Sequence, residues 1–254
     1  MPPEVDEPAL RGTVSIVTGG AAGLGEAVSS ELASQGVHVI VLDADADAAL
    51  ESVERITDEG GSAEAVVADV RDTDQLGRAV ELAWRRGPLF SVVSNAGGWD
   101  GVASHFPDSD PSAWLGVLEL NLIAPMHLLQ LARTAVAPGG AVVLVSSIAG
   151  VESTVYDSPE YAIAKAGLVR LTTALADLDE RDGPRVSCVV PGWIALERAR
   201  RELGELEPED RLSASTLVPV ADITDEIVRL IVDPESGGQV VVLDGESPPH
   251  LLGR

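Results

Sequence analysis

Lysine and cysteine are almost absent from this chain of 254 residues. Lys165 is the single lysine, and the other sixteen of the 17 basic residues are arginines. The lone Cys188 excludes an intrachain disulfide, and its apolar surroundings at 186–190 indicate a core residue rather than a nucleophile. The formal net charge of −24 argues against nucleic acid and anionic membrane surfaces as partners, because both require clustered Lys or Arg.

Long apolar runs and linkers are missing as well. A membrane-spanning helix needs a run of about eighteen apolar residues, and the sequence has none. Residues 1–12 carry acids and prolines where a signal peptide would need a basic and then an apolar stretch, so we expect a cytoplasmic protein. No repeat or Ser/Gly linker divides the chain. The sequence predicts a flexible acidic tail at 1–11 and one domain at 12–254.

Short apolar runs alternate with helical patterns along the whole chain. Strands are predicted at 13–18, 37–42, 63–70, 89–94, 141–146, 185–190 and 239–243. Helices are predicted at 24–35, 45–59, 72–84, 111–136 with an interruption near Pro125, 157–179 and 221–232. Strands that alternate with helices predict a single-domain α/β fold of the Rossmann type: a doubly wound, seven-stranded parallel sheet with helices on both faces.

A glycine-rich turn, Thr18-Gly-Gly-Ala-Ala-Gly23-Leu-Gly25, follows the first predicted strand and opens a helix. Glycines allow close backbone approach, and a helix N-terminus offers free N–H groups to a pyrophosphate. Asp43 ends the second strand, where a carboxylate would accept hydrogen bonds from an adenosine ribose and repel a 2′-phosphate. No Lys or Arg occurs between Arg11 and Arg55, so the pattern predicts NAD rather than NADP as the cofactor.

Lys165 stands four positions after Tyr161, one of only two tyrosines. In a helix the two side chains lie on the same face. At ~4 Å and an effective dielectric constant of ~20, an ammonium attracts a phenolate by about 4 kcal/mol, which would lower the tyrosine pKa by about 3. The spacing therefore predicts that Tyr161 is a general acid/base whose pKa Lys165 lowers.

With these motifs the chain resembles the short-chain dehydrogenase/reductase family from about residue 11 to residue 243. The resemblance implies cofactor-binding roles for the matching residues: Gly19, Gly23, Leu24, Gly25, Asp43, Asp69, Val70, Asn95, Ala96, Gly97, Tyr161, Lys165, Pro191 and Ile194. It implies a catalytic set of Asn121, Ser147, Tyr161 and Lys165, in which Asn121 supports a water-linked proton relay and Ser147 holds the substrate oxygen. No metal site is implied. Leu196 departs from the pattern, because the family often carries a cofactor-binding threonine there.

The resemblance implies an NAD-dependent oxidoreductase that interconverts a secondary alcohol and a ketone. A lid is expected at 193–218. The similarity of the region 191–242 to the hydroxyprostaglandin-dehydrogenase-like branch suggests a hydrophobic, steroid-like or acyl-derived substrate. The expected pocket is mostly apolar and is lined by Trp99, His105, Phe106, Val151, Tyr156, Trp193, Leu196 and Leu203. The family forms homodimers or homotetramers through its long helices. Two alternatives stay open: a ketoreductase of acyl-chain or polyketide biosynthesis, which usually prefers NADPH, and a non-catalytic NAD(H)-binding regulator.

Overall fold

The computed structural model describes residues 10–99, 103–197, 199, 201, 204 and 216–253. Its strands are β1 (Val14–Thr18), β2 (His38–Asp43), β3 (Ser62–Val67), β4 (Leu89–Ser94), β5 (Ala141–Val145), β6 (Arg185–Pro191), β7 (Val240–Leu243) and β8 (His250–Leu251). They form one sheet in the order β3-β2-β1-β4-β5-β6-β7-β8. The first seven strands are parallel, as predicted. The two-residue β8 pairs antiparallel with β7, and it is too short to show a periodic pattern in the sequence.

Helices cover both faces of the sheet. They are α1 (Gly23–Ser34), α2 (Ala46–Asp58), α3 (Thr73–Arg86), α4 (Pro111–Leu118), α5 (Ala124–Ala135), α6 (Pro159–Ala174) and α7 (Val220–Val232). On one face α3, α5 and α6 bury residues such as Leu76, Leu128 and Leu168 against the strands. On the other face α1, α2 and α7 bury Leu32, Ile56 and Ile227. Every residue of β1, β5 and β6 is buried, which fits a sheet covered on both sides.

The long helix predicted at 111–136 is interrupted earlier than expected. The irregular turn lies at Glu119–Ile123 and is π-helical, whereas Pro125 sits in the first turn of α5. A proline is tolerated in a first turn, where its missing N–H is not needed. By length and composition alone, the stretch Pro111–Ala135 could cross a membrane. In this fold, however, Ala124, Leu128 and Ala132 lie in the core beneath the sheet.

Three predicted boundaries shift. β3 ends at Val67, so 68–70 leave the strand, and α6 ends at Ala174 rather than at 179. Leu10, assigned to the flexible tail at 1–11, is buried, and Arg11 packs close to Gly36. The rest of that tail, at 1–9, lies outside the described residues. Most of the predicted lid at 193–218 also lies outside them, although its two ends meet where the Val218 N–H donates to Trp193 O at 2.8 Å.

Candidate active site

The glycine turn between β1 and α1 is built for close backbone approach. Gly19 and Gly23 have φ of +61° and +56°, which favour glycine. A Cβ on Gly25 would lie 2.0 Å from the carbonyl oxygen of Gly19, so no other residue fits there. Ala22 precedes α1 and has no side chain that could cap its N–H groups. The turn therefore fits a pyrophosphate, which is the group of a dinucleotide cofactor that binds at such a terminus.

Asn95 fixes this turn from the neighbouring strand. Its Nδ2 donates to the carbonyl oxygens of Thr18 and Gly19, both at 3.1 Å. The backbone N–H groups of Asn95 and Ala96 both donate to the Thr18 hydroxyl at 3.1 Å. Because its amide is committed to the backbone, the side chain of Asn95 shapes the cofactor turn. The side chain of Leu24 is buried in the core, so only the backbone of this residue lies at the glycine turn.

Two carboxylates line the same edge of the sheet. Asp43 accepts from the Ala21 N–H of the glycine turn and from the Asp45 N–H, both at 3.1 Å, so its orientation is fixed. Asp69 is paired with Arg71, whose Nη2 lies 2.6 Å from Oδ2, and this pair lowers the pKa of Asp69 below its ordinary value. Arg71 was not predicted as a site residue, although it stands two positions after Asp69 in the sequence. The side chain of Val70 is buried in the core.

Tyr161 and Lys165 both lie on the buried face of α6, with exposed fractions of 9% and 3%. Ser147 starts a short 3-10 turn after β5, and its hydroxyl accepts from the Ala149 N–H at 3.3 Å. Burial raises the pKa of Tyr161, and the nearby Ser147 side chain opposes this rise. Burial lowers the pKa of Lys165 to about 8. The lowering of the phenol pKa expected from Lys165 is not seen in this structure, because burial is the largest influence on Tyr161 and raises its pKa.

The ammonium of Lys165 is anchored from the neighbouring strand. Its Nζ donates to the Val145 carbonyl oxygen at 2.9 Å. The Ser146 hydroxyl donates to the carbonyl oxygen of Lys165 itself at 2.8 Å, a contact that was not predicted. These two bonds tie the end of β5 to the middle of α6, and they fix the lysine on both its backbone and its side chain.

Asn121 lies in the π-helical turn and is fully buried. Its Oδ1 accepts from the Gly98 N–H at 2.9 Å, while Nδ2 donates to the carbonyl oxygens of Gly98 and Val117 at 2.8 and 2.9 Å. A Cβ on Gly97 would lie 2.7 Å from Asn121 Oδ1 and 3.1 Å from Lys165 Nζ, so that glycine lets both side chains approach. The Asn121 amide thus positions the turn after β4, and its support of a proton relay stays a prediction.

An aromatic cluster surrounds the Tyr161 ring. The ring centres of Trp99 and Tyr156 lie 4.3 and 6.0 Å from that of Tyr161. Among the other predicted pocket residues, Phe106 faces Trp114, whereas Val151 packs against the core. Trp193 is half-buried at the start of the predicted lid, and Leu203 lies outside the described residues.

The segment after β6 closes over the glycine turn. Pro191 is the buried last residue of β6, and Ile194 packs against the core beside α7. A side-chain carbon of Leu196 lies 3.3 Å from where a Cβ of Gly23 would be. The side chain of Leu196 therefore covers the glycine turn with an apolar group where the family often carries a threonine. In the described part of the chain, no group of three or more His, Cys, Asp or Glu is placed to hold a metal ion.

Comparison with known proteins decides the family. The family model for short chain dehydrogenases matches residues 13–205. The chain belongs to this family. It is 30% identical over 240 residues to the cyclohexanol dehydrogenase of Acinetobacter sp. (strain SE19), covering 91% of this chain and 93% of that protein. It is also 30% identical over 257 residues to the probable galactose dehydrogenase of Rhizobium meliloti (strain 1021), covering 96% and 98%.

A solved short-chain dehydrogenase structure agrees with this fold. The structure of a 7 alpha-hydroxysteroid dehydrogenase in complex with NADH and 7-oxo glycochenodeoxycholic acid superposes with a TM-score of 0.84 at 26% identity, covering 98% of this chain and 99% of that one. The short-chain dehydrogenase described here is an oxidoreductase that acts on an alcohol- or ketone-type substrate, and its family uses nicotinamide cofactors.

Proposed function

We propose that this short-chain dehydrogenase uses NAD(H) to interconvert a hydrophobic secondary alcohol and its ketone, with Tyr161 as the general acid/base. The observation that carries the proposal is the buried Tyr161, which has Ser147 beside its phenol and the Lys165 ammonium 5.4 Å from its ring centre. A phenol, a hydroxyl and an ammonium in this arrangement can hold a substrate oxygen and move one proton to or from it.

Asp43 supports NAD over NADP. Its carboxylate is held at the glycine turn by the Ala21 and Asp45 N–H groups, and no Lys or Arg lies between Arg11 and Arg55. Two like charges ~4 Å apart at an effective dielectric constant of ~20 repel each other by about 4 kcal/mol, so a 2′-phosphate beside Asp43 would be disfavoured. The carboxylate retains acceptor capacity for the hydroxyl groups of an unphosphorylated ribose.

The proton transfer is assigned to Tyr161 Oη. In the reductive direction it donates a proton to the substrate oxygen, which Ser147 Oγ holds in place. In the oxidative direction it takes that proton back. When bound, the nicotinamide cofactor supplies or accepts the hydride. Because burial keeps the phenol protonated at neutral pH, we expect reduction to proceed there without prior ionisation and oxidation to speed up as the pH rises.

The aromatic side chains beside Tyr161 support an apolar substrate. Trp99 and Tyr156 contribute ring surfaces next to the phenol, although aromatic residues make up only 3% of the chain. The names of two similar proteins fit this picture, because cyclohexanol and a steroid both carry an alcohol on a saturated six-membered ring. We therefore propose an alicyclic secondary alcohol as the substrate class. A sugar, as named for the galactose dehydrogenase, is the polar alternative for the test below.

We further propose that the protein is a homodimer or homotetramer, with α5 and α6 facing a second copy. Ile123 and Met126 are 40% and 44% exposed, and they help to line a cavity of about 330 Å³ between these helices, away from Tyr161.

We propose that 12–254 acts as one domain with a substrate lid at 193–218. We place the protein in the cytoplasm, where a free thiol such as Cys188 stays reduced.

Two measurements test the proposal. The first is fluorescence titration with NADH and NADPH, for which we expect NADH to bind at least about tenfold more tightly, a difference of about 1.4 kcal/mol. The second is an NAD⁺-coupled absorbance assay with cyclohexanol, a 7α-hydroxysteroid and galactose. Turnover of the alicyclic alcohols supports the substrate class, and turnover of galactose alone contradicts it. Tighter binding of NADPH would favour a biosynthetic ketoreductase, and NADH binding with no turnover of any alcohol would favour the non-catalytic regulator.

A further inference from the structure

Glu160 directly precedes Tyr161 in the first turn of α6, and its side chain is only 3% exposed. Both carboxylate oxygens face the loop that follows β4. Oε1 lies 2.7 Å from His105 Nδ1, and Oε2 accepts a longer bond of 3.4 Å from the Phe106 N–H. The partners are 55 and 54 residues away in sequence, so this contact joins two separate parts of the chain.

The geometry makes His105 the chief partner of this carboxylate. A carboxylate with so little exposure costs several kcal/mol to bury unless it is paired, and a bond of 3.4 Å is weak. Burial raises the pKa of Glu160, but the hydrogen bond from His105 and those from backbone N–H groups more than offset this, and the pKa stays below its ordinary value. Without His105 a buried charge would be left nearly unpaired, which is why the loop stays on α6.

The same loop touches α6 at a second point. The ring of Trp99 lies with its centre 4.3 Å from that of Tyr161 and 5.8 Å from that of Tyr156. Two residues that flank positions 100–102 thus contact consecutive residues of α6: Trp99 packs on Tyr161, and His105 binds Glu160. Phe106 adds an edge contact to Trp114 on α4, with ring centres 6.4 Å apart.

We propose that His105 is a positioning residue for the alcohol-binding pocket: its bond to Glu160 holds the loop so that Trp99 stays against Tyr161 and sets the size of the alcohol that fits. The inference rests on the proposed role of Tyr161 as the reacting group. In this role His105 acts through Glu160 and Trp99, and it needs no contact of its own with substrate or cofactor. Its loss should therefore affect the binding of the alcohol and leave the binding of NADH unchanged.

The test uses the full-length protein and substitutions at His105. H105A removes the bond, whereas H105N places an amide N–H near the position of Nδ1 and restores a donor. H38A is the matched control, because His38 also contacts a glutamate, Glu64 at 3.9 Å, but at the opposite end of β2 from Asp43. The double variant H105A/E160Q removes the buried charge together with its partner, so it tests the proposal even if H105A alone fails to fold.

Kinetics with cyclohexanol and NAD⁺ give the first result. We expect H105A and H105A/E160Q to raise KM for cyclohexanol about fivefold or more, with kcat and the NADH Kd changed less than about twofold. H105N should return KM to within about twofold of the parent protein, and H38A should leave all three values unchanged. An unchanged KM in both H105A variants, or no rescue by H105N, would overturn the proposal.

Acrylamide quenching gives a second result that does not depend on the substrate. The signal of Trp99 is obtained by comparing each protein with its W99F counterpart. H105A and H105A/E160Q should make Trp99 more accessible to acrylamide, and H105N should not. If the parent protein turns over no alcohol, the proposed function fails while the quenching result still decides the role of His105. If turnover is normal and quenching is unchanged, the positioning role is wrong.

Discussion

The Lys165 ammonium lies 5.4 Å from the centre of the Tyr161 ring, and it donates to the Val145 carbonyl oxygen at 2.9 Å. A cation at this distance from an aromatic ring is attracted by the ring as well as by any charge on the phenol. The same burial shifts both groups towards their neutral forms, raising the pKa of Tyr161 and lowering that of Lys165 to about 8. Burial is therefore the main influence on the pKa of both groups, and the lowering of the tyrosine pKa expected from the spacing is not seen.

Replacement of Tyr161 by Phe should remove the proton-transferring group. We expect kcat/KM to fall by about 10³-fold, since general acid/base catalysis contributes about 10²- to 10⁴-fold. NADH affinity, measured by fluorescence titration, should change less than about twofold. Y156F is the matched control, because it removes the other hydroxyl of the aromatic cluster and should keep most of the activity. A Y161F enzyme with more than about a tenth of parent activity would contradict the assignment.

Replacement of Lys165 by Met should stabilise the fold at neutral pH. The unfolded lysine loses its proton near 10.5 and the buried one near 8, so below pH 8 burial of the charge costs about 3 kcal/mol. As pH rises from 8 to 10.5, only the unfolded chain keeps the proton, and this cost disappears. After the loss of the bond to Val145, we expect K165M to gain about 1 to 2 kcal/mol at pH 7.

Urea denaturation at pH 7 and pH 10 measures this effect. The advantage of K165M should shrink at the higher pH. R170M, an exposed substitution on the same helix, should show no such dependence. A K165M protein that is less stable than the parent at pH 7 would show that the hydrogen bond outweighs the desolvation.

Replacement of Asp43 by Asn should weaken discrimination between the two cofactors. The amide removes the charge that would repel a 2′-phosphate and leaves one acceptor for the Ala21 or Asp45 N–H. We expect the ratio of NADPH Kd to NADH Kd to fall at least about tenfold, which corresponds to about 1.4 kcal/mol. D58N, at the exposed end of α2, removes the same charge away from the turn. If D43N and D58N changed the Kd ratio equally, the preference for NADH would depend on the net charge of the protein and not on Asp43.

Two glycine substitutions should have opposite effects. In G25A the new Cβ would meet Gly19 O at 2.0 Å, so the turn must move, and both NADH binding and thermal stability should fall. In G77A the Cβ meets open space on α3, and the gain in helix propensity should stabilise the protein by roughly 1 kcal/mol. Thermal unfolding and NADH titration of both proteins test this. NADH binding retained in G25A would argue against a phosphate site at this turn.

The outer face of α5, together with Ile123 just before it, should carry the subunit contact. A charge placed there by I123E/M126E should lower the molar mass measured by light scattering during gel filtration, because buried unpaired charges are costly. The control is W84E/L50E, which adds the same charge at two exposed apolar residues away from α5. Trp84 is 67% exposed and Leu50 is 60% exposed. The same mass for both double variants would rule out this face as the interface.

The sequence predicted the parallel sheet and most helix ends, because buried strands and amphipathic helices leave local patterns. It also named residues that the fold brings together around Tyr161. Their assigned roles remain predictions. The sequence missed what depends on contacts between distant residues. The amides of Asn95 and Asn121 are consumed by backbone groups, and the π-helical turn at Glu119–Ile123 has no local signal. Desolvation of Tyr161 likewise depends on the whole fold.

The rarity of lysine has a practical consequence for chemical labelling. Apart from an α-amino group, a reagent directed at amines finds only Lys165, and that side chain is 3% exposed and bonded to Val145. Its reaction rate should therefore report how often the pocket opens, and a bound dinucleotide should slow it. The rate at which Lys165 is labelled thus measures how often solvent reaches the site that we propose for proton transfer.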